Sequence, residues 1–230
     1  MNILITREEE KYQVFADKIK AVGLTPFSLP MIECVPVPAI ISGHFDYGVF
    51  TSLNSAKYFV TYTGKVQFEK VVAVGLTTAN ALLEIGITTD IIPEQSSAEG
   101  LKETFKDIDV AGKRFLFAGA ESRAGDFHKY LEDRGAEVSL VTIYKTNPVE
   151  YAPGYIEKFL AENNINLVTF ASPSAAKAML ENIEDMTQQL VCIGKTTADA
   201  VREIGYDARY PDDFTLDWMV KLITKLNQEN

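Results

Sequence analysis

Two cysteines, two histidines and one tryptophan are spread over 230 residues, and each scarcity removes a class of chemistry. Cys34, Cys192, His44 and His128 share no ligand spacing, which argues against a structural zinc site, and neither metal nor cofactor is expected. No apolar run approaches bilayer length. The start, Met1-Asn2-Ile3-Leu4-Ile5, enters a strand without the basic-then-apolar layout of a signal peptide. With so few cysteines, one of them inside an apolar strand pattern, the expected compartment is the reducing cytoplasm. Cationic side chains are also short: 22 Lys and Arg face 32 Asp and Glu, a net charge of −10. That balance argues against nucleic acid or an anionic membrane as partner. It leaves room for an anionic small molecule in a locally positive pocket. Nucleotide fingerprints are missing too. No G-x-G-x-x-G follows a strand, and Gly194-Lys195-Thr196 lacks the upstream glycine of a P-loop, Gln189 standing there instead.

What the chain does have is an internal repeat. Sliding it by 112 residues places Ile3-Leu4-Ile5 on Phe115-Leu116-Phe117, Phe15 on Phe127, Ile19 on Leu131 and Gly23 on Gly135. Further along, Phe50-Thr51-Ser52 falls on Phe170-Ala171-Ser172, and Gly75-Leu76-Thr77-Thr78-Ala79 on Gly194-Lys195-Thr196-Thr197-Ala198. Pro93 then meets Pro211, and Ser97 meets Thr215. A series this long indicates duplication. Each copy alternates short apolar strands with amphipathic helices, so the expected fold is α/β: two related domains, each a parallel sheet flanked by helices. Pro36 and Pro38, and later Pro148, suit two extended connectors. The expected division is residues 1–35 with 147–230 as one domain and 36–146 as the other.

Ligands of such sheets bind at the carboxyl ends of the strands, where polar turns collect. Four turns qualify: Ser52, Asn54 and Ser55; Thr77 and Thr78; Ser172, Ser174 and Ala175; Lys195, Thr196 and Thr197. Any one is explained by helix capping. Their recurrence at equivalent places also suits amides and hydroxyls presented to an anion in a shared cleft. Thr6 with Glu9, and Ser96 with Glu99, read as helix caps, and Thr196 or Thr197 as the cap of the helix after Gly194. Arg7, Arg123 and Lys195 lie where they can meet carboxylates. Tyr144 ends a strand run beside the second connector, where a neutral phenol can donate to a leaving group or simply pack. His44 and His128 read as surface residues, and Trp218 as part of the apolar face of the last helix.

The chain resembles uroporphyrinogen-III synthase over nearly its whole length. The resemblance rests on Thr6-Arg7, Phe50-Thr51-Ser52-x-Asn54, Gly119-x-x-x-Arg123, Arg134-Gly135-Ala136-Glu137-Val138 leading to Tyr144, Phe170-Ala171-Ser172-Pro173-Ser174-Ala175 and Ile193-Gly194-x-Thr196-Thr197-Ala198. Glu8 stands where members often carry proline, and Ala118 where an arginine is common. The resemblance implies two α/β domains joined by a pair of connectors. It also implies a cofactor-independent lyase that closes hydroxymethylbilane, a linear tetrapyrrole with eight carboxylates, into uroporphyrinogen III. Water is lost and the last pyrrole ring is inverted. Tyr144 matches the tyrosine held to assist departure of the hydroxyl, and the threonine turns and Arg7 match positions lining an interdomain cleft. A small-molecule polycarboxylate is thus the implied partner, and a monomer the expected state. The competing reading is a two-lobed binding or sensor protein that closes on an anionic metabolite without chemistry.

Overall fold

Ile3, Leu4 and Ile5 are fully buried, as are Leu167, Val168 and Phe170, and these two short runs pair side by side although 163 residues separate Leu4 from Leu167 in the chain. Apolar runs without polar alternation are what a parallel sheet covered on both faces requires. In the computed structural model, which describes residues 1–120 and 125–229, the chain begins with β1 (Asn2–Ile5), α1 (Glu9–Ala21), β2 (Thr25–Ser28) and β3 (Ile32–Pro36). It continues through β4 (Gly43–Phe50), α2 (Leu53–Phe59), β5 (Val66–Ala73), α3 (Leu76–Glu84), α4 (Ala98–Phe105), β6 (Arg114–Ala120), α5 (Phe127–Asp133) and β7 (Glu137–Pro148). The last stretch holds α6 (Tyr155–Glu162), β8 (Leu167–Phe170), α7 (Pro173–Leu180), β9 (Gln189–Cys192), α8 (Lys195–Glu203) and α9 (Leu216–Glu229). Two compact units result, one of residues 1–33 with 147–230 and one of residues 34–146.

The first unit carries a four-stranded parallel sheet in the order β2-β1-β8-β9. Alternate residues sort onto its two faces. Leu4, Val168, Phe170, Leu190 and Cys192 pack with Ile156, Met179 and Val201 of α6, α7 and α8. Ile3, Ile5, Leu167 and Val191 pack with Phe15 and Ile19 of α1 and with Met219 and Ile223 of α9. The second unit has a five-stranded sheet ordered β3-β7-β6-β4-β5, parallel along β7, β6, β4 and β5. Phe50, Leu116 and Ala73 face α2 and α3; Tyr47, Val49, Phe115 and Phe117 face Phe105 of α4 and Phe127 of α5. The central strands β1, β8, β4 and β6 are thus covered by helices on both faces.

Several local expectations shift. Thr6 caps nothing: its hydroxyl donates to the Thr169 carbonyl at 2.8 Å while the Thr169 hydroxyl donates to the Leu4 carbonyl at 2.8 Å, both groups buried. This reciprocal pair locks the ends of β1 and β8 together, and α1 starts after Glu8 with no side-chain cap. Ser97, not Ser96, caps α4, accepting from the Gly100 amide at 3.0 Å. Neither Thr196 nor Thr197 caps α8; Gly194 holds that position and both threonines lie inside the first turn. Helix α2 runs into a single 3-10 turn, Val60–Tyr62. Ile91 forms only an isolated bridge to Val72. Trp218 is 38% exposed with the Lys221 ammonium 4.1 Å above its ring, because Met219, Val220, Ile223 and Leu226 take the buried face of α9.

Two outcomes follow from these contacts. Thr6→Val keeps the shape and removes one buried hydrogen bond, so it should lower stability by about 1 kcal/mol in urea unfolding; an unchanged midpoint would count against the strand-end lock. Burial pushes the Cys192 thiol up to about 12 against a small opposing influence of Arg202. Because the thiolate is the reactive species, alkylation of Cys192 should be at least ~100-fold slower in the native protein than after unfolding, read by peptide mass mapping.

Candidate active site

At the carboxyl ends of β4, β5 and β6 the second unit holds a cavity of about 340 Å3. Its wall includes Thr51 and Ser52 after β4, Val74 after β5, Ser96 and Ser97 before α4, His128 on α5 and Tyr144 on β7. Ser52 has extended backbone and caps α2, its Oγ accepting from the Ser55 amide at 3.1 Å. Ser55 returns the favour, its Oγ accepting from the Ser52 amide at 3.1 Å. That capping box fixes Ser52 Oγ in place. The same oxygen lies 3.0 Å from the Tyr144 hydroxyl. The Tyr144 ring stacks on Tyr58 of α2, with centroids 5.2 Å apart and planes 19° apart, and the Tyr58 hydroxyl donates to the Cys34 carbonyl. Tyr144 is therefore 6% exposed, and its ring and its hydroxyl are held by separate partners.

The two glycines that precede α3 and α8 owe their identity to close approach. Gly75 and Gly194 have φ of −162° and −169°, extended backbone open to any residue, so no unusual turn demands glycine there. A Cβ on Gly75 would lie 2.9 Å from Ser96 Oγ, and one on Gly194 would lie 2.9 Å from the ring of Phe214. Gly75 lets the turn before α4 sit down on the start of α3, and Gly194 lets the turn before α9 sit down on the start of α8.

In the first unit, the carboxyl ends of β1, β8 and β9 lead to Arg7, Ser172 and Lys195. Ser172 Oγ accepts from the Ala175 amide at 3.2 Å and lies 3.0 Å from Ser174 Oγ. Pro173 opens α7, where a missing N–H costs nothing. Burial lowers the pKa of the half-buried Arg7 guanidinium, with Glu8 acting in the opposite sense. No hydrogen bond of Arg7 occurs among the described residues. Lys195 is exposed and bound to Asp199 at 2.6 Å; that hydrogen bond raises the lysine pKa and lowers that of the acid.

Of the residues expected at a site, Ser52 and Tyr144 meet in one cavity wall, with Ser55 buried behind Ser52. Asn54 turns away, its amide on Cys34 Sγ at 3.1 Å. Thr78 and Thr197 are buried, Thr77 and Thr196 exposed, and neither Thr77 nor Thr78 lines the cavity. Arg123 lies outside the described residues. Ser96 and His128 join the wall although sequence reasoning used one as a cap and left the other on the surface. The signal for Ser96 was present in the repeat, since a match of Ser97 with Thr215 sets Ser96 on Phe214.

Comparison with known proteins places this arrangement. The family described as Uroporphyrinogen-III synthase HemD matches residues 13–221. The chain is 26% identical to the uroporphyrinogen-III synthase of Chlorobaculum parvum, over 88% of this chain and 89% of that protein. It is 25% identical to the porphyrin biosynthesis protein HemD of Ruminiclostridium josui over 99% of its length, yet spans only 49% of that relative, about half. Among solved structures, uroporphyrinogen-III synthetase from Helicobacter pylori shares the fold with a TM-score of 0.72 at 16% identity, covering 98% of this chain and 99% of that one. A mutant uroporphyrinogen III synthase from Thermus thermophilus gives 0.57 at 17% identity, covering 100% of both. The family match runs along most of the sequence, and the chain belongs to the uroporphyrinogen-III synthase family, enzymes of porphyrin biosynthesis.

Proposed function

We propose that the chain cyclises hydroxymethylbilane to uroporphyrinogen III with loss of water, and that Tyr144 assists departure of the hydroxyl. The observation that carries this reading is the Ser52–Tyr144 contact inside a strand-end cavity. Ser52 Oγ already accepts the Ser55 N–H. The Ser52 and Tyr144 hydroxyls share one hydrogen bond in which either can donate, and with the Ser52 proton on the Tyr144 oxygen the phenol can give its own proton to a leaving group. In that arrangement the chain from Ser55 N–H through Ser52 and Tyr144 to the leaving oxygen is polarised in one direction. An electron-rich pyrrole expels hydroxyl readily once that oxygen is hydrogen-bonded, so a neutral phenol suffices and no strong acid is required. Carboxylates of the substrate would meet Arg7 and the amides at the starts of α7 and α8, with Ser172, Ser174, Ala175, Thr196 and Thr197 in contact. Such amides hold anions without adding net charge.

The two domains of this reading are residues 1–35 with 147–230 and residues 36–146, a division supported by compact units whose chain crossings lie at 33/34 and 146/147. One chain supplies every residue named, so a monomer suffices. A cytoplasmic setting is supported by two free cysteines. No helix among the described residues is long and apolar enough to cross a membrane. Family membership disfavours the non-catalytic binding or sensor protein.

Enzymatically supplied hydroxymethylbilane, with type I and type III porphyrins resolved after oxidation, tests the reading; only the type I isomer above background would overturn it. Tyr144→Phe should slow turnover roughly ten- to hundredfold without abolishing it, the range set by one hydrogen bond to a charge-developing group. Complete loss with the fold intact would contradict an assisting role. Ser52→Ala should lower kcat by a smaller factor and also reduce stability by about 1 kcal/mol through loss of the cap. Ser52→Thr should restore both, which steady-state kinetics and thermal melting would show together.

A further inference from the structure

The internal repeat is most informative where its two copies differ. Ser97 and Thr215 are equivalent positions in the repeat, one preceding α4 and the other α9, and each hydroxyl accepts from an amide three residues on, Gly100 at 3.0 Å and Trp218 at 3.4 Å. The residue before each, Ser96 or Phe214, rests on the equivalent helix-start glycine, Gly75 or Gly194, at a distance that leaves no room for a Cβ. Backbone geometry is therefore preserved while the side chain has changed from a hydroxymethyl to a phenyl group. In the second unit that side chain lines the cavity of Ser52 and Tyr144. In the first unit it is a phenyl ring that stays 58% exposed although it is seated against backbone at the carboxyl ends of the strands. Tyr210 meets it edge-on with centroids 6.5 Å apart and planes 62° apart.

Exposure alone would say little about this ring; what marks it is its place, since it is the counterpart of the cavity-lining Ser96 and a glycine that adds backbone entropy to the cost of folding lets it sit at the strand ends. The substrate class read from the family supplies the cover: a linear tetrapyrrole consists of flat, electron-rich five-membered rings fringed by carboxylates. We propose that Phe214 is a stacking platform for one pyrrole ring of the substrate, with the rim that holds Arg7, Ser172 and Thr196 taking that ring's carboxylates. The proposal rests on the reading of the chain as a uroporphyrinogen-III synthase and adds to it a residue that grips a ring face in place of an acid group. The duplicated position then has two trades, a hydroxyl where the leaving group departs and an aromatic face where a ring must be kept from turning.

The test compares Phe214→Ala, Phe214→Leu and Phe214→Tyr in the full chain, measuring KM, kcat and the ratio of type III to type I product, with thermal melting as the control for folding. Phe214→Ala and Phe214→Leu should each raise KM roughly three- to tenfold, more than they lower kcat, and should increase the share of type I product; Phe214→Tyr should keep KM near that of the unaltered protein. Phe214→Leu retains an apolar body on Gly194, so it answers the question even where Phe214→Ala melts early. A normal KM in Phe214→Leu would reduce the ring to packing and overturn the proposal, as would an unchanged KM in all three. If the unaltered protein forms no type III product, the reading beneath the proposal fails and takes the proposal with it. An active unaltered protein with indifferent variants sinks the proposal alone.

Discussion

One serine oxygen does two jobs on which the geometry of the second unit's cavity depends. Ser52 Oγ satisfies an amide at the start of α2 and, on its other side, meets the phenol of Tyr144. In the sheet order β7-β6-β4, the strand carrying Tyr144 is two places from the strand that leads into Ser52. A helix start has N–H groups that must find partners somewhere, and here the partner chosen also anchors the phenol proposed to assist the reaction. Tyr58, one turn into α2, adds a second tie by stacking on the Tyr144 ring. The orientation of α2 and the position of the phenol are thus set by the same contacts, and a phenol so held needs no reorganisation when a leaving group arrives.

Duplication explains why the two units look alike and also why they do not behave alike. Ser55 completes a capping box in the second unit, whereas its counterpart Ala175 cannot, and Ser174 approaches Ser172 instead. Leu76 opens α3 with 71% of its surface exposed, while its counterpart Lys195 carries a charge already engaged by Asp199. Each change alters what the rim presents without touching the hydrogen bonds that build it. Parallel sheets tolerate this because the strand ends, unlike the strand interiors, pack against solvent.

Much of this was legible in the sequence. Apolar triplets such as Ile3-Leu4-Ile5 and Phe115-Leu116-Phe117 announced strands buried on both faces, and the repeat announced paired units before any coordinates. Helix phase was harder to read. Ser96 and Ser97 are chemically interchangeable as caps, and only the path of the chain decides that Ser97 accepts the Gly100 amide while Ser96 falls on Gly75. His128 follows a buried Phe127, and a one-residue change in where α5 begins would send it elsewhere. Trp218 carried the largest apolar side chain of its helix, yet Met219 and Ile223 won the core because burying them leaves the indole free to meet Lys221. Glycine was hard to read in a different way. Gly75 and Gly194 have extended backbones, and the constraint comes from Ser96 and Phe214 some twenty residues on, which local patterning does not encode.

A polycarboxylate substrate, proposed for a chain of net charge −10, poses an electrostatic problem which a basic patch would solve crudely. In the proposed reading, amides and hydroxyls at helix starts solve it differently. They supply partial positive charge at fixed places and nothing at long range, so an acid group is favoured only where its position matches the rim. Lysines offer little in their place, since Lys195 is spent on Asp199 in an exposed ion pair worth little by itself. Arg7, half-buried and still fully charged, is a cation at the carboxyl end of β1, where solvent screens it less than an exposed lysine. Recognition of this kind rewards shape over charge. A flexible substrate with many acid groups has many ways to satisfy a basic patch and few ways to satisfy a rim of fixed donors, and restricting it to one closing geometry is catalysis by orientation.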